Sequence, residues 1–487
     1  MKALIILFFL VVAFSINAQT PFYKQFSGSG YDYGQGIDEL PDSSYIITGS
    51  SSSFTDGPSQ MFLLKIDSLG NYLWSSSYGG TETDWGRRVK HVANEGYFVG
   101  GFTNSSGNGA YDFALWKIDE TGNELWFKTF GTDGWERMHD MAITSDSGFV
   151  LVGETNKTTD GLTDVYVVRT DASGNELWTK QFANDGEDNA FSIKMLDDST
   201  FIVAGTRFIG TKNEAWFMRL QDNGDTLWTN HHSINSFDFK VNDIEIVSGV
   251  IYGIGAIKDN VNNTYNHHII LKVNATNGSL IGSDISGSNY MQGQAITTFA
   301  QNGLFCVATS MFEEGVSFGQ DDVIFYGYNN IPVYYGNIGA VEYATQQVLG
   351  DMVTTYSFGA IAVGYNEEIG PGGSSVYVIR LKPWSSFYTS NDDFTTNPLV
   401  NIQSINTDNS AVVVYPNPAS SVINVQTKKS NDYQIQLIDV LGNLVFNQTY
   451  MSTKQLSIDA THLENGIYLL QLISNEGKST LKIEIAK

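Results

Sequence analysis

Cysteine is almost absent from this chain, which contains one, Cys306, among 487 residues. A single cysteine excludes an intramolecular disulfide, so we expect burial of an apolar core to supply the stability. Basic side chains are also scarce, because 27 lysines and arginines face 52 aspartates and glutamates. The resulting formal charge of −25 disfavours nucleic acid and anionic membrane surfaces as partners.

Long apolar runs are confined to the first 18 residues. Lys2 precedes an apolar run over residues 3–14, and a small-residue stretch ends at Ala18. This pattern is typical of a secretory signal peptide, so residues 1–18 are predicted to be removed before Gln19. No later segment approaches the length of a membrane-spanning helix, and we therefore predict a soluble, exported chain with no transmembrane segment.

Recognisable catalytic motifs are missing too. The chain has no nucleophile elbow Gly-x-Ser-x-Gly in a strand-turn-helix context, no Walker loop and no His-Glu-x-x-His zinc motif. Its Asp-x-x-Gly-Asn segments lack the alternating ligands of the calcium loop Asp-x-Asn-x-Asn-Gly. The motifs therefore assign no catalytic residue and no certain cofactor.

What the chain does contain is an internal repeat. Its marker, Gly-Asn-x-Leu-Trp, ends at Trp74, Trp126 and Trp178, and the variant Gly-Asp-Thr-Leu-Trp ends at Trp228. Within one unit, residues 136–182, two apolar runs indicate strands buried on both faces, and an alternating segment after the marker indicates an outer strand. Four strands in each unit of about 50 residues predict the blades of a β-propeller.

The number of blades follows from the length of the repeat region. Residues 19–388 accommodate about seven units, although the copies after residue 233 have lost the tryptophan. The segment 21–28 resembles the outer strand that follows each Leu-Trp, so we predict that it completes the last blade. We expect the repeated tryptophan to pack between adjacent sheets.

Units one to four resemble bacterial β-propeller repeats. In that family an Asp-Gly-Gly-Tyr-like strand leads to a Leu-x-Lys-x-Asp-x-x-Gly-Asn-x-x-Trp hairpin, and residues 64–74 match the hairpin. The resemblance implies a scaffold and does not by itself imply a reaction.

Carboxylates recur at the predicted start of the innermost strands. The repeat spacing makes five of them equivalent: Asp32, Asp84, Glu136, Asp188 and Asp238. Five such groups near the axis of a propeller favour one of two roles. Either each carboxylate caps backbone amides in the turn between blades, or the ring holds a cation such as Ca²⁺.

The residue after each carboxylate varies, which favours a role in specificity. These residues are Tyr33, Trp85, Arg137, Asn189 and Phe239. Propellers often bind ligands at the mouth of the channel, so we predict that a ligand contacts a group of five side chains there. The group consists of Trp85, Arg87, Arg88, Arg137 and His139.

The composition changes after residues 389–410, a polar stretch that we interpret as a linker. Residues 411–487 predict six or seven short alternating strands, and so a small C-terminal β-sandwich after the seven-bladed propeller. Three motifs follow one another in this tail. Their residues are Tyr415, Pro416, Asn417 and Pro418, then Asp439 and Gly442, then Gly466, Ile467 and Tyr468.

These motifs, in this order and at this end of the chain, resemble the type A sorting domain of the type IX secretion system of Bacteroidetes. The resemblance implies transport across the outer membrane by the secretion machinery, followed by removal of the tail by a sortase-like peptidase. It also implies that the mature protein is extracellular, either anchored at the cell surface or released.

Export, an acidic body and the missing catalytic set favour a propeller that binds an extracellular ligand, namely a glycan, a protein or another surface component. Two alternatives stay open. One is a hydrolase or lyase that acts on a polysaccharide through two channel carboxylates as acid and base. The other is a structural surface-layer protein, which assembles with itself and binds no saturable ligand.

Overall fold

A computed structural model describes the chain over the following residues: 22–54, 58–157, 161–183, 186–233, 237–259, 264–286, 291–299, 304–311, 322–328, 334–341, 347–356, 359–367, 373–381, 396–398, 412–415, 421–439, 444–463, 465–474 and 477–485. The predicted signal peptide and nearly all of the predicted linker lie outside these ranges. The chain divides into two compact units, residues 1–401 and residues 402–487. Within the described ranges, no helix is long and apolar enough to cross a membrane.

Over the described residues, the first unit consists of seven sheets, one for each predicted blade, and their strands pair antiparallel except for one short strand at the edge of the last sheet. Blades one to three follow β1 (Phe22–Ser27) and contain β2 (Asp32–Glu39), β3 (Tyr45–Ser51), β4 (Gln60–Ile66), β5 (Tyr72–Tyr78), β6 (Asp84–Val92), β7 (Gly96–Thr103), β8 (Asp112–Ile118), β9 (Glu124–Phe130), β10 (Glu136–Ile143), β11 (Phe149–Thr155), β12 (Asp164–Thr170) and β13 (Glu176–Phe182). Blades four to six contain β14 (Asn189–Asp197), β15 (Thr200–Ile209), β16 (Lys212–Gln221), β17 (Thr226–His232), β18 (Asp238–Val247), β19 (Val250–Asp259), β20 (Thr264–Asn274), β21 (Leu280–Ser286), β22 (Met291–Phe299), β23 (Leu304–Met311), β24 (Asp322–Tyr328) and β25 (Tyr334–Val341). Blade seven contains β26 (Gln347–Thr354), β27 (Ala360–Glu367) and β28 (Ser374–Leu381), together with β1 and the short β29 (Thr396–Pro398).

The ring closes as the sequence predicts. β1 pairs antiparallel with β28 and so supplies the outer strand of blade seven. β29 then pairs parallel with β1 on the other side. The first strand of the chain is therefore held in the last blade, which confirms the seven-bladed propeller.

The two central strands of each blade are apolar on both faces because every blade packs between two neighbours. β12 is buried along its whole length, and β11 is buried except at one residue. The outer strand β13 is only partly buried, and it carries Lys180 along its open edge. The apolar clusters lie between blades: the ring of Phe98 in blade two lies 4.7 Å from that of Phe149 in blade three.

The Gly-Asn-Glu-Leu-Trp segment is a hairpin turn followed by the start of an outer strand. In the second copy, Asp171 accepts hydrogen bonds from two backbone amides of its own turn, and Gly174 has φ of +75°. A Cβ atom at Gly174 would lie 2.6 Å from the indole of Trp126 in the preceding blade. Trp178 in turn donates a hydrogen bond to the carbonyl of Asp222 in the following blade, at 2.9 Å. In these blades the repeated tryptophan therefore joins one blade to the next.

The second unit is a separate all-β domain. Its strands are β30 (Val412–Tyr415), β31 (Val422–Asp439), β32 (Leu444–Asp459), β33 (Gly466–Ser474) and β34 (Gly477–Ile485). The prediction of six or seven short strands is wrong for the described residues, because β31 and β32 contain 18 and 16 residues. Their pairing loses register between Gln426 and Asn431, and this polar stretch has the composition of a turn. Alternate side chains of the domain form one apolar core.

Most of the sorting-motif residues lie on these strands. Tyr415 ends β30, Asp439 ends β31, and Gly466, Ile467 and Tyr468 begin β33. Tyr468 is buried in the core of the domain. Pro416, Asn417, Pro418 and Gly442 lie outside the described residues.

Candidate functional site

Every blade has a β-bulge at the same place in its innermost strand, where the pairing with the second strand shifts by one residue. Bulges re-aim side chains and are frequent beside binding sites. The seven bulge residues, here called the bulge ring, are Gln35, Arg87, His139, Phe191, Asn242, Gln294 and Gly350. The bulge gives a structural numbering of the blades that does not depend on counting along the repeat.

The recurring carboxylates lie three residues before the bulge in blades one to four, and all four are buried. Asp84 accepts hydrogen bonds from the Gly80 amide at 2.9 Å, from Ser105 Oγ at 2.8 Å and from Thr103 Oγ1. Asp32 and Glu136 accept bonds of the same kind from the turn before them and from the neighbouring strand. Each carboxylate therefore caps the turn that leads from one blade to the next.

The fourth carboxylate, Asp188, has a cationic partner as well. Arg207 Nε donates to its Oδ2 at 2.9 Å, and the Phe208 amide donates to Oδ1 at 3.0 Å. Burial raises the pKa of Asp188 to about 6, despite the nearby Arg207. Burial also raises the pKa values of Asp32 and Asp84. The structure does not bring these carboxylates together, and the part of the chain it describes holds no cluster of three or more metal-ligating side chains.

The fifth carboxylate is misplaced by the sequence analysis. In blade five the bulge residue is Asn242. The residue three positions before it is the buried Phe239, so Asp238 lies one residue earlier in its strand than the carboxylates of blades one to four. The residue equivalent to Trp85 and Arg137 is therefore Lys240, not Phe239. Counting from the tryptophans fails here because strand pairing and burial, not chain spacing, set the register.

One position of the inner strand, two residues before the bulge, is at least partly exposed in every blade. Its residues, here called the mouth ring, are Tyr33, Trp85, Arg137, Asn189, Lys240, Gln292 and Val348. Each is partly or fully exposed, and wherever burial is described the residues on both sides are buried. The scaffold thus presents seven different side chains at one level of the channel.

Cations and aromatic rings alternate at this level. The guanidinium of Arg137 lies over the rings of Trp135 and Tyr111, at 4.7 and 5.6 Å from their centroids. The ammonium of Lys240 lies 4.9 Å from the Phe191 centroid, and the imidazole of His139 lies 4.9 Å from the same ring.

The aromatic side continues on the other flank. Trp85 stacks on Tyr33 at 5.6 Å and on Phe102 at 5.9 Å, and Arg87 lies over both Trp85 and Phe102. Arg87 also donates to Gln35 Oε1 at 2.7 Å. The rings and cations therefore form one continuous surface.

These cations repel one another. Burial, with Arg88 close by, lowers the pKa of Arg87 to about 10. Burial also lowers the pKa of Lys240 and that of His139, and Glu154 only partly offsets both effects. Among described residues, Glu154 is the carboxylate that acts on all three groups.

Arg88 does not join the other predicted ligand residues. It follows the bulge and lies deeper in the channel, where its Nε donates to Asp140 at 2.9 Å. Burial alone would lower the pKa of Arg88, but attraction to Asp351, Asp140 and Asp243 outweighs this and raises it. Arg88 therefore neutralises buried carboxylates instead of facing the mouth.

The deep carboxylates satisfy the open edges of the inner strands. Asp140, Asp243 and Asp351 accept hydrogen bonds from the amides of residues 193, 296 and 37 in the next blade, at 2.9, 3.0 and 3.3 Å. Burial raises the pKa of Asp243 to about 6, and Lys194 acts against this. These groups brace the channel wall.

Sequence reasoning missed two members of the site, Lys240 and Glu154. The structure places Glu154 on β11 opposite Arg137, with its Oε1 3.6 Å from His139 Nε2. No motif marks a carboxylate on a second strand, because only the pairing register brings it to the mouth. Lys240 could have been found from the alternation at the start of β18, where it lies between the buried residues Phe239 and Val241.

Comparison with known proteins identifies the second unit. Residues 413–486 match the family described as the secretion system C-terminal sorting domain. The C-terminal unit carries a sorting domain. The sorting domain implies export by the type IX secretion system, with attachment to the outer surface or release.

The likenesses of the remaining chain are partial. An endo-acting ulvan lyase of Formosa agariphila is 26% identical over 144 residues, and the chain spans 28% of that relative's length. The WD40 domain of Neurospora crassa Pan2 is 8% identical with a TM-score of 0.39, over 75% of this chain and 100% of that one. The phage phi92 endosialidase is 9% identical with a TM-score of 0.44, over 95% of this chain and 87% of that one. Structural likenesses this weak carry no argument about function.

Proposed function

We propose that this protein is an exported binding module whose propeller holds an extracellular saccharide at the channel mouth. The observation that carries the proposal is the mouth ring, in which one position of a repeated scaffold carries seven different side chains, all at least partly exposed. The position that follows it in each strand carries only glycine or apolar residues, as packing requires. The bulge ring also differs from blade to blade, so two positions of each inner strand vary on a fixed scaffold, as a recognition surface needs.

The chemistry of the surface suits sugars. Flat aromatic faces, such as those of Trp85 and Trp135, pack against the C–H faces of pyranose rings. The amides of Asn189 and Gln292 and the nearby cations supply hydrogen bonds to hydroxyl groups. A protein surface of this composition is mostly pre-formed, so binding orders few side chains.

The sorting domain supplies the route to the ligand. In this proposal the type IX machinery exports the chain, a sortase-like peptidase removes the tail, and the propeller acts outside the cell. An anchored propeller would hold the saccharide at the surface, whereas a released one would carry it freely.

Cleavage of a polysaccharide is the second candidate function. The observation in its favour is the partial likeness to a protein named as an ulvan lyase. Hydrolysis of a glycosidic bond needs two carboxylates that are free to act on the substrate. Asp84 and Asp140 are instead buried and accept hydrogen bonds from backbone amides, which favours binding over hydrolysis.

The test incubates the purified full-length protein with a panel of soluble polysaccharides. Retention on a glycan without new reducing or unsaturated ends supports the binding module, and chain shortening supports the enzyme. We expect Trp85→Ala to weaken retention about tenfold, and Trp178→Ala, on the outer strand, to leave it unchanged. Equal retention of both variants, each folded by thermal unfolding, would place the binding surface elsewhere.

A further inference from the structure

We propose that the saccharide held at the channel mouth is an anionic one, bearing carboxylate or sulfate groups, and that Arg87, Arg137 and Lys240 recognise those groups. This inference rests on the proposed function and names its ligand class. It starts from a contrast of charge: the whole chain has a formal charge of −25, yet the mouth carries a surplus of cations.

Ring contacts connect the cations. Arg87 lies over Phe102 and Arg137 over Tyr111, and the centroids of these two rings are 5.6 Å apart. Lys240 and His139 each lie 4.9 Å from the ring of Phe191, and repulsion from Arg87 lowers the pKa of both. These groups come from blades two, three and five. The described part of the mouth holds three permanent cations and one carboxylate, that of Glu154, so its net charge is positive.

A hydrogen-bond donor is also in surplus. Among described residues, the buried Nε of Arg87 has no hydrogen-bond acceptor. Buried donors without acceptors are costly and uncommon in folded proteins. Oxygen atoms of a bound carboxylate or sulfate can accept from the exposed nitrogens and draw this donor into one network.

The acidic body does not cancel this attraction. At physiological ionic strength charges are screened over about 8 Å, so distant carboxylates act weakly at the mouth. The recurring carboxylates nearby, such as Asp84 and Glu136, are buried and hydrogen-bonded to their own turns, so a ligand does not contact them. The groups that a ligand contacts at the mouth are the cations, while the net charge of the chain slows its approach.

Aromatic faces select saccharides among anions. A sugar ring that lies beside Trp135 or Trp85 has its carboxylate or sulfate substituent close to Arg137 or Arg87, because each guanidinium lies within 6 Å of the centroid of that ring. An acidic peptide presents its carboxylates on flexible stems and lacks a flat C–H face, so it gains less from this surface.

The experiment measures affinity by titration calorimetry on the full-length protein with matched probes. Polygalacturonate is compared with its methyl ester, and dextran sulfate with dextran; each pair differs in charge and shares a backbone. Polyglutamate is the non-saccharide polyanion. We expect at least about tenfold tighter binding of one charged member than of its neutral partner, which is about 1.4 kcal/mol.

Variants that remove either a positive or a negative charge from the mouth make the test more specific. Arg137→Gln and Lys240→Gln should each weaken binding of the charged saccharide about tenfold, whereas Glu154→Gln should tighten it, because that change raises the local positive charge. Lys128→Gln on the outer strand β9 removes the same charge far from the mouth and should change nothing. A purely structural role of these residues would not produce a gain with Glu154→Gln.

Each other outcome overturns a defined part of the reasoning. Equal affinity for charged and neutral partners refutes the anionic ligand and leaves the saccharide-binding function standing. Binding of polyglutamate as tight as that of the best charged saccharide refutes saccharide selection. No binding of any saccharide refutes the proposed function itself.

Discussion

Asp84 and Asp238 are equivalent by repeat spacing, but the structure gives them different surroundings. Replacing Asp84 with alanine leaves three donors, at Gly80, Thr103 and Ser105, without their buried acceptor. Each unsatisfied donor costs about 1–3 kcal/mol. Part of this is offset because the variant no longer buries a carboxylate whose pKa burial already raises. We expect Asp84→Ala to lower the free energy of unfolding by about 3 kcal/mol.

Asp238→Ala is the matched control. Asp238 is only half-buried and accepts a hydrogen bond from the Asn213 amide at 3.1 Å, so its loss should cost about 1 kcal/mol or less. The assay is urea unfolding of both variants, with excess Ca²⁺ and with a chelator. Equal losses for the two variants, or a loss at Asp84 that appears only when Ca²⁺ is present, would refute the capping role and restore the cation ring.

Three further predictions test the fold and its export. Gly174→Ala places a Cβ atom against the indole of Trp126. It should lower the free energy of unfolding by about 1–2 kcal/mol more than Gly210→Ala, because Gly210 also has a positive φ but has open space around it. In urea unfolding, this difference should vanish when Trp126 is replaced by alanine. Burial lowers the pKa of His268 to about 4, so the unfolded chain takes up a proton first as pH falls from 6.5, and stability present at pH 7 should drop by about 2 kcal/mol by pH 5. Unfolding of His268→Gln across this range should lack that part of the slope, and an unchanged slope would contradict the assignment. Deletion of residues 411–487 should abolish export, measured by fractionating cells, and normal surface levels of the truncated chain would exclude a sorting role.

Most of the fold can be predicted from the repeat, because the turns and strands of each blade are determined by residues close together in the chain. The Asp171–Gly174 turn needs a side-chain acceptor and a glycine with positive φ, and the sequence supplies both residue types at the right positions. The apolar runs of β11 and β12 likewise show strands buried on both faces. The long strands β31 and β32 were not foreseen, since their polar middle has the composition of a turn and is held in the sheet by tertiary pairing.

The candidate site was only partly visible. That Trp85, Arg87, Arg137 and His139 bind a ligand at the mouth stays a prediction from their position in the repeat. Arg88 instead bonds to Asp140, because the bulge sends the two arginines in different directions. A bulge is a property of strand pairing, and no single residue type marks its position in this chain, so the sequence did not predict it.

The sequence by itself determined the blade repeat, the turn chemistry, the inter-blade tryptophan and the sorting tail, because each depends on contacts close in the chain or on a motif read as a unit. Only the tertiary structure decided which side chains share the channel mouth. Lys240 and Glu154 come from different blades and different strands, and ring closure with the register of seven inner strands brings them together. Charge at the mouth is thus set by packing, while charge over the whole chain is set by composition.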